Sequence, residues 1–559
     1  MPPDRDLLRL LARVDGRGLS RRELVKRGAA IGLGSSALAA SLAGVTGPRA
    51  AQARGPRAML QDDPAAGTRG GTLRIATIGE PPTLDEHQTT AGITAEIGYC
   101  WFETLFTYDA EYQPVPMLAE SHTVSEDGLT HTITLRQGVP FHNGATMTAD
   151  DVIASLTRWG GISGVGQRLF EATTELAKVD DATIEFRLSR PYGTILVALA
   201  SNTQAASIHP KSVLDAATDQ PLTEFVGTGP YRLAEWQPDA FIRMARFEEY
   251  AALESPPNGY GGRKFQYADV IEFIPVPDEA ARVAGMQAGD YHYAMQIAND
   301  QYTVLQDSPG IIAEIQHPTE WDVFFLNWQS PMMSNLAMRQ AFQAALDHLP
   351  ILLSARGSEE FIRLDPGLMM AESPWHTDAG IEQYNMNDPE LAAAKLEEAG
   401  YDGTPLRFMS TQEYGYMYGG TVVAVQQLEN AGFTVDHQVI DWATLVERRA
   451  QPEEWDAFVT SHGFVPDPSQ ISYVGQMNQY PGWWSSEASL ELADELLAET
   501  EFDARYPIWE QVQANAYTEI PAIKIGDSSI STYRSENVGG WTTQIERGVP
   551  YWNLWLKES

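Results

Sequence analysis

The spacing of apolar and polar residues changes period repeatedly along the chain, and each change marks an element. Leu129–Leu135 (LTHTITL) and Thr183–Leu188 alternate strictly, the period of a strand with one buried face. Gly71–Ile78 and Val270–Val276 read as short apolar strands. Thr148-Ala-Asp-Asp151 is a capping-box variant opening a helix with Val152, Leu156 and Trp159 at i, i+4 and i+7. Asp278–Ala288 predicts a short helix ending at Gly289. Ser334 reads as the cap of a helix on which Met338, Ala341, Phe342, Ala345, Leu346 and Leu349 keep helical spacing. Asp388-Pro389 opens another, closed by Gly400. Leu406–Ser410 and Phe433–Ile440 read as strands around a helix at Thr421–Asn430, and Tyr506–Glu519 as a final helix. Strands and helices alternating at this spacing predict α/β layers.

Val226–Tyr250 (VGTGPYRLAEWQPDAFIRMARFEEY) stands out. Glycine's tolerance of positive φ at Gly227 and Gly229, followed by the fixed φ of Pro230, predicts a tight entry into a strand. Gln237–Ala240 supplies a turn and a second strand follows, which makes a hairpin. The aromatic density of Glu96–Tyr108 predicts core packing. His142, in a turn without evident partners, reads as structural, and Trp483-Trp484 as an exposed pair.

Composition narrows the class. The chain of 559 residues is too long for one small core, and 43% apolar residues suffice for two or three folded subdomains. A net charge of −37 disfavours nucleic acid and anionic membrane as partners. Cys100, the single cysteine, excludes an internal disulfide. Residues 1–53 read as a leader: Ser20-Arg21-Arg22-Glu23-Leu24-Val25-Lys26 is a twin-arginine signature, Gly28–Gly47 is weakly apolar, and Ala51-Gln52-Ala53 offers a cleavage pattern. Glycines and serines dilute the apolar run below what a membrane span needs. No cysteine lies near the cleavage point, so lipid anchoring is not expected. The leader carries +5, and removing it from −37 leaves −42. Residues 54–69 read as a tail.

Several phrases, in order, resemble one family. They are GTLRIATI, LRQGVPFHNGATMTADDV, the VGTGPYRL hairpin, ARVAGMQAGDYHYA, NWQSPMMSNLAMRQAFQAALDHLPI and AAAKLEEAGYDG. Together they resemble family 5 of the bacterial ABC-importer solute-binding proteins, which includes dipeptide-, oligopeptide- and nickel-binding proteins. The resemblance implies an α/β, two-lobed periplasmic binding protein of type II, cluster C-like, with mixed sheets and an extra subdomain in the N-terminal lobe. It places lobe I at 70–322 with an insertion around 111–219, lobe II at 323–520, and a return to lobe I over 521–559. It implies a periplasmic monomer without catalysis or cofactor. Such a protein captures a small molecule or short peptide and delivers it to an ABC permease and its ATPase subunits. A sensor or chaperone on the same fold, or an exported glycoside-active enzyme, are the competing readings.

The resemblance also locates candidate ligand contacts. In peptide binders of the family an aspartate shortly before an acidic/neutral-Pro pair holds the peptide ammonium. In Ser461–Pro468 the matching position is Phe464, and Asp467 lies in the position before proline, so simple dipeptides are expected to bind poorly. Trp442 matches a pocket-lining position. Tyr414, Tyr416 and Tyr418, at period 2 in a Gly-rich loop, are expected to present rings on one face. Rings of this kind stack on sugars, cage quaternary amines or flank flat chelates. Arg449 is a candidate for a ligand carboxylate, and His462 for a chelated metal. The eleven histidines form no H-x₃-H or H-E-x-x-H spacing, so no protein-held metal is expected.

Overall fold

The structure is a computed structural model describing residues 66–557, apart from 203, 218–219, 476 and 543–548. The leader and most of the tail lie outside the described residues. Within them the chain forms two lobes threaded by one long mixed sheet. Its strand order is Val435–Val439, Leu406–Ser410, Ala457–Gly463, Ile311–Leu326, Ala522–Ser535, Tyr293–Ala294, Thr72–Thr77, Val270–Pro275, Phe241–Arg246, Tyr231–Gln237. The strands at its two ends belong to different cores. Ile75, Trp101, Tyr231, Ile271 and Phe273 pack in the first lobe, and Phe324, Phe342, Phe408 and Ala457 in the second.

Two strands belong to both. Ile311–Leu326 and Ala522–Ser535 run antiparallel to each other for nearly their full length, with a register shift between Gln316 and Glu320. At one end Tyr533 and Arg534 pair with the first lobe's Tyr293–Ala294 strand. At the other, Glu320–Leu326 pairs with Ala457–Gly463 of the second lobe. The chain then returns, and Tyr551, Trp552 and Leu554 are buried in the first lobe's core.

The alternating Thr130–Leu135 and Thr183–Leu188 pair as edge-free neighbours in a separate four-stranded sheet with Ala119–Val124 and Thr173–Asp180. This sheet lies within the predicted insertion, and its inward residues Ile133, Leu135, Ile184 and Phe186 join the same core as the rest of the lobe. Thr148 and Asp151 make the capping box that starts Ala149–Ile162. Asn335, one residue after the expected cap, starts Leu336–Ala345 by accepting from the Ala337 amide at 3.0 Å.

The hairpin at 231–246 forms as read, but its glycines serve another purpose. Neither has a positive φ. A Cβ on Gly227 would lie 2.3 Å from the Trp101 carbonyl oxygen, and one on Gly229 2.5 Å from its carbonyl carbon. Close backbone approach, not left-handed geometry, requires glycine here. His142 braces the corner: its Nε2 meets the Gly229 carbonyl at 2.9 Å, and the Gly227 amide donates to its Nδ1 at 3.3 Å.

Candidate ligand-binding site between the lobes

In the second lobe, Leu406–Ser410, Val435–Val439 and Ala457–Gly463 run in one direction. The segments leaving their carboxyl ends carry Tyr414, Trp442 and Phe464. That edge is where an open α/β sheet leaves a crevice, because successive connections depart to opposite faces.

Trp442 begins the helix Trp442–Arg449, capped by Asp441, whose side chain accepts from the Thr444 amide at 2.9 Å. Its half-buried indole meets Tyr414 edge-on at 5.2 Å, and Tyr414 meets Tyr416 at 6.1 Å. At the helix's last turn, the Arg449 guanidinium lies 5.8 Å from the Trp442 ring and 5.9 Å from that of Phe458. Arg448 pairs with Glu454 at 3.7 Å, whereas Arg449 has no carboxylate at ion-pair distance among the described residues. This arrangement leaves a cation held by ring faces and open to an anion.

His462 and Ser461 are adjacent on a strand and so face opposite sides of the sheet. The His462 ring packs against Trp321 at 4.8 Å, Phe325 at 5.6 Å and Tyr473 at 6.0 Å. Its Nε2 is buried without a hydrogen-bond partner. Burial, helped by the nearby Arg449 charge, pushes this imidazole down to about 4, so it is neutral near pH 7. On the other face Ser461 joins a polar network that sequence reasoning missed. Its hydroxyl donates to Glu320 at 2.9 Å and meets the Tyr416 hydroxyl at 3.0 Å. Arg356 lies 4.0 Å over the Tyr416 ring and binds Glu320 at 2.5 Å and Asp322 through its Nε at 2.9 Å. Burial alone would lower the Arg356 pKa, but these carboxylates hold it above its ordinary value. The one available signal was the pair of acids in the otherwise apolar run EWDVFFL.

The three tyrosines do not share a face. The helix there is Gly415–Asn430, longer than expected, so residues two apart diverge by about 200°. Tyr418 stacks instead on His437 at 6.0 Å. The apparent loop glycines allow close helix packing: a Cβ on Gly419 would lie 2.4 Å from the Ser354 carbonyl oxygen. Trp484 is likewise buried rather than exposed, and Trp483 packs on Trp455 at 5.9 Å.

Phe464 is buried, and its ring meets Tyr112 of the first lobe at 4.3 Å. Asp467 is turned inward. Arg505 grips it in two bonds of 2.6 and 2.9 Å, and Ser469 donates to it through both amide and hydroxyl. Burial alone would raise this carboxyl, yet Arg505 and Ser469 hold it below the usual carboxylate range. It is spoken for, and cannot hold a ligand ammonium in this arrangement. Three more contacts cross the seam: Gln470 to the Tyr108 hydroxyl at 3.1 Å, Arg168 to the Gly475 carbonyl at 2.7 Å, and the Gly193 amide to the Leu497 carbonyl at 2.9 Å. The lobes are closed on each other.

The two-lobed fold agrees with a decisive sequence match. The family model for bacterial extracellular solute-binding proteins, family 5 middle region, matches residues 113–480. The chain belongs to this family. As a family 5 solute-binding protein, it is the solute-capturing component of an ABC importer. A probable peptide ABC transporter periplasmic-binding protein of Sinorhizobium fredii is 24% identical over 485 residues, covering 84% of this chain and 91% of that protein. A glutathione-binding protein of Salmonella typhi is 27% identical over 495 residues, covering 85% and 92%. The fold matches the Helicobacter pylori periplasmic binding protein DppA in complex with the peptide STSA. That match has a TM-score of 0.74 and 20% identity, over 88% of this chain and 99% of that one. Among the described residues no helix is long and apolar enough to cross a membrane, and no group of three His, Cys, Asp or Glu is placed to hold a metal ion.

Proposed function

We propose that this family 5 solute-binding protein captures a small solute bearing a carboxylate and an apolar or planar body, rather than a dipeptide held by its free ammonium group. The observation that carries the reading is Arg449, a cation without a carboxylate at ion-pair distance among the described residues, flanked by Trp442 and Phe458 and near the neutral His462. A partly desolvated guanidinium favours a carboxylate counter-ion, which it can grip in two hydrogen bonds. The rings beside it supply an apolar wall. Phe464, buried against Tyr112, supports the second half of the reading, because an ammonium there would lose its water without gaining a partner. A relative that binds glutathione, a tripeptide with two carboxylates, fits the same chemistry.

In this reading residues 1–53 direct export by the twin-arginine route and are removed near Ala53. The mature protein works as a periplasmic, non-lipidated monomer without enzymatic activity. Closure of the lobes over the solute presents it to a permease driven by ATPase subunits.

Mass spectrometry of the solute released from purified protein by mild denaturation identifies the ligand class directly. A thermal-shift panel of carboxylate-bearing solutes, glutathione included, set against simple dipeptides then tests the reading. A ligand at a hundredfold excess over Kd stabilises by about 2.7 kcal/mol. Large shifts from simple dipeptides, and none from other carboxylates, would overturn it.

A further inference from the structure

A cavity lies on the seam, apart from the Trp442–Arg449 helix. Its volume is about 320 Å³. Arg168 and Arg190 line it from the first lobe, and Asn478 and Gln479 from the second. The Arg168 guanidinium donates to the Gly475 carbonyl at 2.7 Å, and neither arginine pairs with a carboxylate at ion-pair distance among the described residues. This is unusual in a chain with 75 acidic and 38 basic residues, where nearby Arg505 is gripped by Asp467 at 2.6 Å. Burial holds Arg168 below its ordinary pKa, against the opposing pull of the nearby Glu171 charge. Arg168 is half-buried, and Arg190, Asn478 and Gln479 are exposed; all four line the space beside Tyr192, Val474 and Leu490, and each can donate to an oxyanion there. Glu171 and Asp494 also line the cavity and, like Arg190, are exposed, where solvent and salt screen them, so half-buried Arg168 is the principal donor.

We propose that this seam cavity binds a small oxyanion, a phosphate or a carboxylate, on Arg168 and Arg190. Because its donors come from both lobes, the complete site exists only when they are closed, and a bound anion favours closure. By linkage it also tightens capture in the main cleft. The proposal does not depend on the role given to Arg449.

Thermal melting with sodium phosphate, sulfate or malonate, at an ionic strength held constant with sodium chloride, tests it. Wild type, Arg168→Gln, Arg190→Gln and Arg449→Gln are compared. The expected result is a saturable rise in melting temperature, with apparent affinity falling about tenfold or more in Arg168→Gln and Arg190→Gln for every anion that acts, while Arg449→Gln weakens only a malonate response arising in the main cleft. Arg190 is exposed, so its variant keeps the test valid if Arg168→Gln fails to fold. Phosphate and sulfate acting without malonate assign a tetrahedral oxyanion, and the reverse assigns a carboxylate. No response beyond that of chloride, or a response abolished only by Arg449→Gln, overturns the proposal.

Discussion

Tyr112 of the first lobe and Phe464 of the second place their rings 4.3 Å apart with planes tilted by 43°. The seam is thus joined by an aromatic pair. Such a pair contributes about 0.5–1.5 kcal/mol beyond its area burial. Tyr112→Ala is therefore expected to weaken capture of the co-purifying solute by up to about tenfold. Calorimetric titration of that solute checks this, and an unchanged Kd would show that the pair is not part of closure.

Removing Arg505 exposes how Asp467 is held. Arg505→Met leaves a buried carboxylate unpaired and is expected to cost about 3–5 kcal/mol, while Asp467→Leu with Arg505→Met recovers much of the loss. Urea denaturation of the single and double variants measures both. The Asp467 carboxyl sits below its ordinary 3.8 in the folded state, so its contribution is present above that value and lost as pH falls through the lower folded one. An Asp467→Asn variant should therefore show a flatter acid limb than wild type below about pH 4.

His462 gives a titration of the opposite residue type. Its folded value of about 4 lies below the ordinary 6.5, so the unfolded chain takes up a proton that the native ring refuses. Stability from this site is complete above 6.5 and lost as pH falls toward 4. His462→Phe is expected to melt closer to, or above, wild type at pH 5 than at pH 7.5. A melting difference that does not change between those values would mean the folded ring titrates like the unfolded one.

Gly193 meets the second lobe through backbone alone. A Cβ there would lie 1.9 Å from the Glu499 carbonyl oxygen. Gly193→Ala is expected to hold the lobes apart, lowering solute affinity and raising the radius of gyration of the solute-bound protein. Melting of the solute-free form should stay near wild type. Small-angle scattering with and without the co-purifying solute separates this from unfolding. Gly229→Ala is the contrast, because the clash is with Trp101 backbone inside one lobe, and a loss of about 1–3 kcal/mol in solute-free stability is expected.

The fold was legible because its signals are local. Alternation in Thr130–Leu135, the Thr148–Asp151 box and the 231–246 hairpin each depend on neighbours in sequence. The site was legible only in outline. Trp442 and Tyr414 do meet, but the partners that decide chemistry are distant: Arg505 for Asp467, Tyr112 for Phe464, Glu320 and Asp322 for Arg356. The pairing of Asp467 was not legible because its partner lies in a separate helix, Phe502–Glu519. The glycines around Tyr416 looked like a loop because close helix packing and chain freedom call for the same residue.

The burial of Tyr551, Trp552 and Leu554 in the first lobe also fixes an order of events at the ribosome. The lobe begun by Thr72–Thr77 stays open along one side until the last ten or so residues emerge, and Ala522–Ser535, which pairs with its Tyr293–Ala294 strand, is made only shortly before. Lobe II is enclosed in sequence by lobe I, so it can close first and present a finished surface on which the earlier-made half assembles. A chain stopped short of Tyr551 would carry every candidate contact named above and still lack a completed first lobe against which to shut them.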